Sequence, residues 1–196
     1  ENFTVNIALI EKNIPIIGVV ILPASSTIYV GYSGGSYKLT KGVDYFNDND
    51  LFQLVSEEFQ TLNKLSVSKK IKNNFTISIS SSHLNNDTKN FIKSLESEFG
   101  TIEKISVGSS IKLCLVAEGK VDCYPRLGFT YEWDTAAAQA VVKFAGGHIF
   151  KFDPDLPVIS YFNYKKFSNR LLNITYNKEN LLNPYFIVSG LHEYNM

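Results

Sequence analysis

Apolar and polar residues alternate over residues 3–10, placing Phe3, Val5, Ile7 and Leu9 on one face of a strand. This strand reads as one from the middle of a sheet, and so as the start of a chain that begins inside a domain. Glu11-Lys12-Asn13 marks a turn, and residues 14–22 form a β-branched run suited to a buried strand that Pro23 ends. Strands over 27–32 and 36–40 make a hairpin around Gly34-Gly35, whose glycines accept positive φ. The first forty residues are thus expected to be an antiparallel meander. Residues 41–74 are polar and Asn-rich, with a helix expected over 50–62 that shares Leu51, Leu54, Val55 and Phe59 on one face.

The pattern then changes to alternating strands and helices. A strand is expected over 75–80, then a helix N-capped by Asp87 that runs to Phe99 and stops at Gly100. A short strand over 103–107 follows, then a helix capped by Ser109, running to Glu118 and stopped by Gly119. Residues 121–124 read as a strand, with Arg126 in the loop beyond it. Asp134 opens a helix of small residues that Gly146-Gly147 closes. Residues 151–180 read as loop and 185–188 as a last strand. Such alternation implies an α/β layered unit, so the chain divides into a first lobe at 1–74, ending in the connecting helix, and a second at 75–196.

Composition narrows the function. The chain is 44% hydrophobic and 19% charged, with Lys+Arg and Asp+Glu both at 19 and no net charge. A neutral surface lacks the basic excess that nucleic-acid binding needs. The longest apolar run, 14–22, contains Pro15 and Gly18 and is too short to span a bilayer as a helix. Two cysteines, Cys114 and Cys123, are too few for a disulfide framework or a thiolate zinc site, and read as buried thiols in a reducing, cytoplasmic setting.

Several motifs favour plain structure. Gly31-Tyr32-Ser33-Gly34-Gly35 fits the nucleophile-elbow spelling, but Tyr37 and Leu39 continue a strand where an elbow needs a helix. Asp153-Pro154-Asp155 reads as turn chemistry and Lys69-Lys70-Ile71-Lys72 as a solvated run. His83, His148 and His192 lack the i,i+4 spacing of a zinc site. Ser109-Ser110-Ile111-Lys112 is different. A capping serine with a lysine three residues on would join helix-end N–H groups to a full positive charge, and Arg126 could clamp the same anion, although for this fragment alone a plain cap with a surface lysine is the commoner arrangement. In Trp133-Asp134-Thr135-Ala136-Ala137-Ala138, a carboxylate backed by small residues allows close approach to a metal and a substrate, although Asp134 as a simple cap fits equally.

The stretch from Ser109 through Lys120, then Tyr124-Pro125-Arg126, Glu132-Trp133-Asp134-Thr135-Ala136-Ala137 and Ala145-Gly146-Gly147, resembles the 3'(2'),5'-bisphosphate nucleotidases of CysQ type. These belong to the inositol monophosphatase superfamily of metal-dependent phosphatases. Residues 3–10, Tyr176-Asn177-Lys178 and Leu182-Asn183-Pro184-Tyr185-Phe186 extend the likeness. The resemblance implies a layered α/β/α/β/α sandwich of the inositol monophosphatase and sugar phosphatase type, with its N-terminal part missing. It implies a phosphoric monoester hydrolase that removes the 3'-phosphate of 3'-phosphoadenosine 5'-phosphate to leave AMP, in sulfur assimilation. Asp134 would ligate Mg²⁺ and contact the scissile phosphate. Ser109, Lys112 and Arg126 would hold the other phosphate, and Ser82 and His83 would line the nucleotide pocket. No other catalytic residue is expected on this chain, because the Asp-Pro-Leu-Asp-Gly-Thr motif and an earlier Glu-Glu would precede Phe3. The chain also has Ala138 where the family usually has Gly, and Ser81 where an Arg is frequent. The alternatives are an inositol monophosphatase-like phosphatase and a truncated, non-catalytic remnant.

Overall fold

Strands β1 (Val5–Glu11) and β2 (Ile14–Leu22) pair antiparallel across Lys12-Asn13, both of which take positive φ (48° and 64°), as a tight hairpin requires. The structure is a computed structural model that describes residues 3–40, 63–71, 74–80 and 85–190. β3 (Thr27–Tyr32) and β4 (Gly35–Thr40) continue the meander through the turn at Ser33-Gly34, so the glycine-rich segment is a hairpin and no helix follows it. The two-residue β5 (Asn63–Lys64) pairs with β4. Among the described residues the order is β1-β2-β3-β4-β5. The helix expected over 50–62 lies outside the described residues.

A second sheet has the order β7-β6-β8-β10-β9. β6 (Phe75–Ser80) runs parallel to β7 (Ile102–Val107) and β8 (Cys123–Arg126). The last strand, β10 (Phe186–Ser189), inserts antiparallel between β8 and β9 (His148–Lys151). β9 is too short to show alternation in sequence, and its partner β10 makes it a strand. Arg126 is the last residue of β8 rather than a loop residue.

Among the described residues four α-helices accompany the sheets: α1 (Asn86–Phe99), α2 (Ile111–Ala117), α3 (Glu132–Phe144) and the single turn α4 (Tyr164–Phe167). A 3-10 helix, Val158–Phe162, and α4 punctuate the stretch expected as loop. Three capping expectations change. Asn85, not Asp87, caps α1, accepting from the Thr88 N–H at 2.9 Å. Ser110 precedes α2 without a side-chain capping bond, while Ser109 lies one residue further out at φ 55°. Asp134 is the third residue of α3, and Tyr131 occupies its cap.

These elements stack in four layers. α2 and α3 lie between the sheets in a core that joins Val20 and Tyr29 of the first sheet to Tyr124, Phe186 and Val188 of the second. α1 and the 3-10 helix cover the far face of the second sheet through Phe91, Leu95, Tyr161 and Phe162. β10 is therefore buried on both faces, with Phe186 and Val188 one way and Ile187 the other. Cys114 and Cys123 are free, buried thiols in these two cores, and burial pushes both thiol pKa values up.

The strand pattern of β1 has an unexpected phase. Thr4, Asn6, Ala8 and Ile10 turn inward, and Phe3, Val5, Ile7 and Leu9 face outward and are exposed, Ile7 at 61%. Ile17 lies opposite Leu9 and is exposed too, as is Ile14.

α3 approaches the first sheet too closely for side chains. A Cβ on Gly18 would sit 2.1 Å from the Ala137 carbonyl oxygen and 2.8 Å from the Ala140 methyl. One on Gly31 would lie 2.6 Å from Ala140 and Val141 backbone atoms. Overpacking of this kind costs about 3 kcal/mol, so Gly18→Ala is expected to lower the urea midpoint by that equivalent. An unfolding free energy within about 0.5 kcal/mol of the parent, the range of neutral surface changes, would show the helix to be displaceable.

Candidate active site

The end of β8, the start of α2 and the first turn of α3 converge on a cavity of about 250 Å³ lined by Asn6, Ser109, Ser110, Lys112, Arg126 and Asp134, among others. The structure thus brings Ser109, Lys112, Arg126 and Asp134 together from segments up to 25 residues apart in sequence. Ser82 and His83, expected beside them, lie outside the described residues.

Lys112 has an unusual position for an ammonium. It is 5% exposed, and its Nζ donates to the carbonyls of Ser109 at 2.8 Å and Val107 at 3.2 Å. The same ammonium lies 5.4 Å from the centre of the Tyr124 ring, a cation–π arrangement. Burial first, and the nearby Arg126 charge second, lower its pKa to about 8. Arg126 donates from Nη2 to the Phe129 carbonyl at 2.7 Å, and its buried Nε has no hydrogen-bond partner. Two adjacent cations, one holding an unsatisfied buried donor, form a site electrostatically suited to an anion with several acceptor oxygens. Burial pushes the Tyr124 phenol up to about 12, against the opposing pull of Arg126, so it stands beside them as a neutral hydroxyl.

The serines enter differently from expectation. α2 has only seven residues, and Ser109 does not cap it, so the positive charge of the cavity comes from side chains rather than from a helix end. Ser109 and Ser110 are instead held by the first sheet. The Thr4 hydroxyl lies 2.5 Å from Ser109 Oγ and 2.8 Å from Ser110 Oγ, and Ser110 donates to Asn6 Oδ1 at 2.8 Å. Ser109 keeps a left-handed backbone that is costly outside glycine, and in that conformation its carbonyl receives Lys112. Thr4 and Asn6 were not among the expected site residues. The available signal was two polar side chains sharing one face of an otherwise apolar strand.

Asp134 is fixed by helix geometry. Its Oδ2 accepts the Tyr131 N–H at 2.8 Å, and neighbouring residues lock the first turn of α3 to the segment 176–183. Glu132 accepts the backbone N–H groups of Asn177 and Lys178 and the Lys178 ammonium, while Tyr176 and Asn183 bond Thr135. Burial acts to raise the Glu132 carboxyl, but the Lys178 ammonium and the two N–H groups outweigh it and hold the pKa below the usual carboxylate range. The Tyr176-Asn177-Lys178 and Leu182-Asn183 segments therefore brace the site from behind. Among the described residues Asp134 is the one acid on the cavity, and no group of three or more His, Cys, Asp or Glu able to hold a metal occurs. Also among them, no helix is long and apolar enough to cross a membrane.

A sequence model described as the inositol monophosphatase family matches residues 1–183. The chain is 38% identical over 147 residues to a 3'(2'),5'-bisphosphate nucleotidase CysQ from Shigella flexneri, covering 75% of this chain and 50% of that protein. It is 30% identical over 195 residues to the CysQ of Haemophilus influenzae, covering 97% and 58%. The chain therefore spans about half the length of the curated relatives it matches. The crystal structure of CysQ from Bacteroides thetaiotaomicron superposes with a TM-score of 0.77 at 36% identity, over 98% of this chain and 64% of that one. A staphylococcal inositol monophosphatase, at 15% identity and a TM-score of 0.64, shares the fold.

The buried lysine makes stability depend on pH with a definite sign. Between about 8 and the ordinary lysine value near 10.5, the folded chain has released the Lys112 proton while the unfolded chain still holds it. Unfolding then takes up a proton, so stability rises with pH across that window. Urea melts are expected to show this rise in the parent and its loss in Lys112→Met. Parallel pH curves for the two proteins would contradict the buried ammonium.

Proposed function

This chain belongs to the inositol monophosphatase family, and on that premise we propose that it is the nucleotide-holding part of a metal-dependent 3'(2'),5'-bisphosphate nucleotidase. In this reading the substrate is 3'-phosphoadenosine 5'-phosphate and the products are AMP and phosphate. The observation that supports it is the pair of cations, buried Lys112 and half-buried Arg126, on the same cavity as Asp134. A substrate with two phosphates needs one group held and the other presented to the chemistry. Lys112 and Arg126 are assigned to the held phosphate, Ser109 to the edge of that cradle, and Asp134 to the phosphate that is removed. In the same reading Ser82 and His83 are assigned to the nucleotide pocket.

Asp134 is read as one ligand of Mg²⁺. That ion prefers a near-octahedral set of oxygens, and a single acid on the cavity does not make such a site. Hydrolysis in this reading needs further oxygens from beyond the described residues. The bound metal would then supply an activated water and neutralise charge on the leaving phosphoryl group.

Calorimetry with 3'-phosphoadenosine 5'-phosphate tests the cradle. Hydrogen bonds to charged groups contribute about 1.5–3 kcal/mol, so Lys112→Met and Arg126→Met are each expected to weaken binding about ten- to a hundredfold. Thermal melts check that both variants fold. Unchanged affinity in both would remove the nucleotide reading, and tighter binding of inositol 1-phosphate would move the chain to the inositol phosphatase branch. Mg²⁺-dependent phosphate release by the protein in its native length, abolished in Asp134→Asn, would exclude the non-catalytic alternative.

A further inference from the structure

Hydroxyls of Thr4, Ser109 and Ser110 and the amide of Asn6 form a closed hydrogen-bond network between the first sheet and the turn before α2. Counting protons fixes the direction of each bond, because a hydroxyl has one to give. Ser110 donates to Asn6 Oδ1 at 2.8 Å, which spends its proton. The 2.8 Å contact between Thr4 and Ser110 is therefore a bond from Thr4. That spends the Thr4 proton, so in the 2.5 Å contact Ser109 donates to Thr4. Asn6 Nδ2 also donates to Thr4, at 3.3 Å. Both residues that flank the Ser109–Ser110 peptide are thus tied to the same threonine.

The carbonyl of that peptide is the closer acceptor of the Lys112 ammonium, at 2.8 Å against 3.2 Å for the Val107 carbonyl. Ser109 presents it from φ 55°, a conformation that a serine leaves readily when nothing holds it. Lys112 is buried, so it keeps its proton only as far as its partners replace lost water. The ionisable groups facing it are Arg126 and the Tyr124 phenol on β8, and Asp134 on α3 across the cavity. Among the described residues, β1, β6 and β10 line the cavity with the uncharged Asn6, Ser80 and Phe186. Arg126 opposes the ammonium charge, which makes the Ser109 carbonyl a main support for it.

We propose that Thr4 is a positioning residue: by pinning the Ser109–Ser110 peptide it keeps Lys112 charged, and so sets the highest pH at which the cavity holds an anion. This rests on the phosphate cradle assigned above and adds its control by pH. The control acts through a side chain that lies behind Ser109 rather than on the anion.

A carbon-13 NMR titration of Lys112, in the full chain labelled at lysine, tests the positioning without any ligand. The signal is identified by its loss in Lys112→Met. The parent is expected to titrate at about 8. A hydrogen bond to a charged group corresponds to about one to two pH units. Thr4→Val keeps the side-chain shape and loses the hydroxyl, so its midpoint should lie lower by about one pH unit or more. Thr4→Ser restores the hydroxyl and should return the midpoint to the parent value. If thermal melts show Thr4→Val unfolded, Ser110→Ala releases the same peptide and carries the same expectation. By calorimetry, affinity for 3'-phosphoadenosine 5'-phosphate should fall above each protein's own midpoint, by up to about tenfold per pH unit. Equal midpoints in the parent and Thr4→Val, or a Thr4→Ser midpoint as low as that of Thr4→Val, would overturn the inference and leave the cradle standing. Midpoints that separate while affinity ignores pH would overturn the cradle, and the pH limit with it.

Discussion

Everything at the site depends on how closely α3 lies against the first sheet. Ala137 and Ala140 rest on the bare backbone of Gly18 and Gly31, a separation that a single methyl would prevent. Two consequences follow from this one contact. Residues Ala136, Ala137, Ala138 and Ala140 have to be small because the helix is gripped between two sheets, and all four are buried. The direction of the helix then places its first turn, and with it Asp134, at the edge of the cavity that α2 and β8 complete. Alanine at 138 is accommodated within this packing at no exposed surface.

The second constraint is electrostatic. A buried ammonium is tolerable only with partners, and Lys112 has two carbonyls and an aromatic face. One of those carbonyls belongs to Ser109, whose left-handed backbone is stabilised by Thr4 on the other sheet. The charge in the cavity is thus held by a contact between layers, and the strand that provides it turns its polar side inward. This explains the inverted phase of β1. Thr4 and Asn6 bond the serines that precede α2, and the apolar side is left to face outward.

The four layers fit the family shown by the sequence match, and the superposition on the Bacteroides protein covers nearly all of this chain. Among the described residues the cavity carries two cations, Lys112 and Arg126, and one acid, Asp134.

By itself the sequence determined the meander, the alternating second part, the approximate ends of α1 and α3 and the grouping of Ser109, Lys112, Arg126 and Asp134, the last through family resemblance. Period-two alternation, glycine stops and helix-compatible runs are local signals that survive without the fold. Tertiary structure alone decided three things. It chose which face of β1 is buried, because alternation gives a period and no phase. It made His148–Lys151 a strand, because four residues acquire that identity only from the ladder with β10. And it moved the capping roles from Asp87, Ser109 and Asp134 to their neighbours, because a cap depends on backbone angles that any of several adjacent polar residues can adopt. Thr4 and Asn6 joined the site for the same reason, since their partners lie more than a hundred residues away and only the packing of one sheet against α2 brings them within a hydrogen bond.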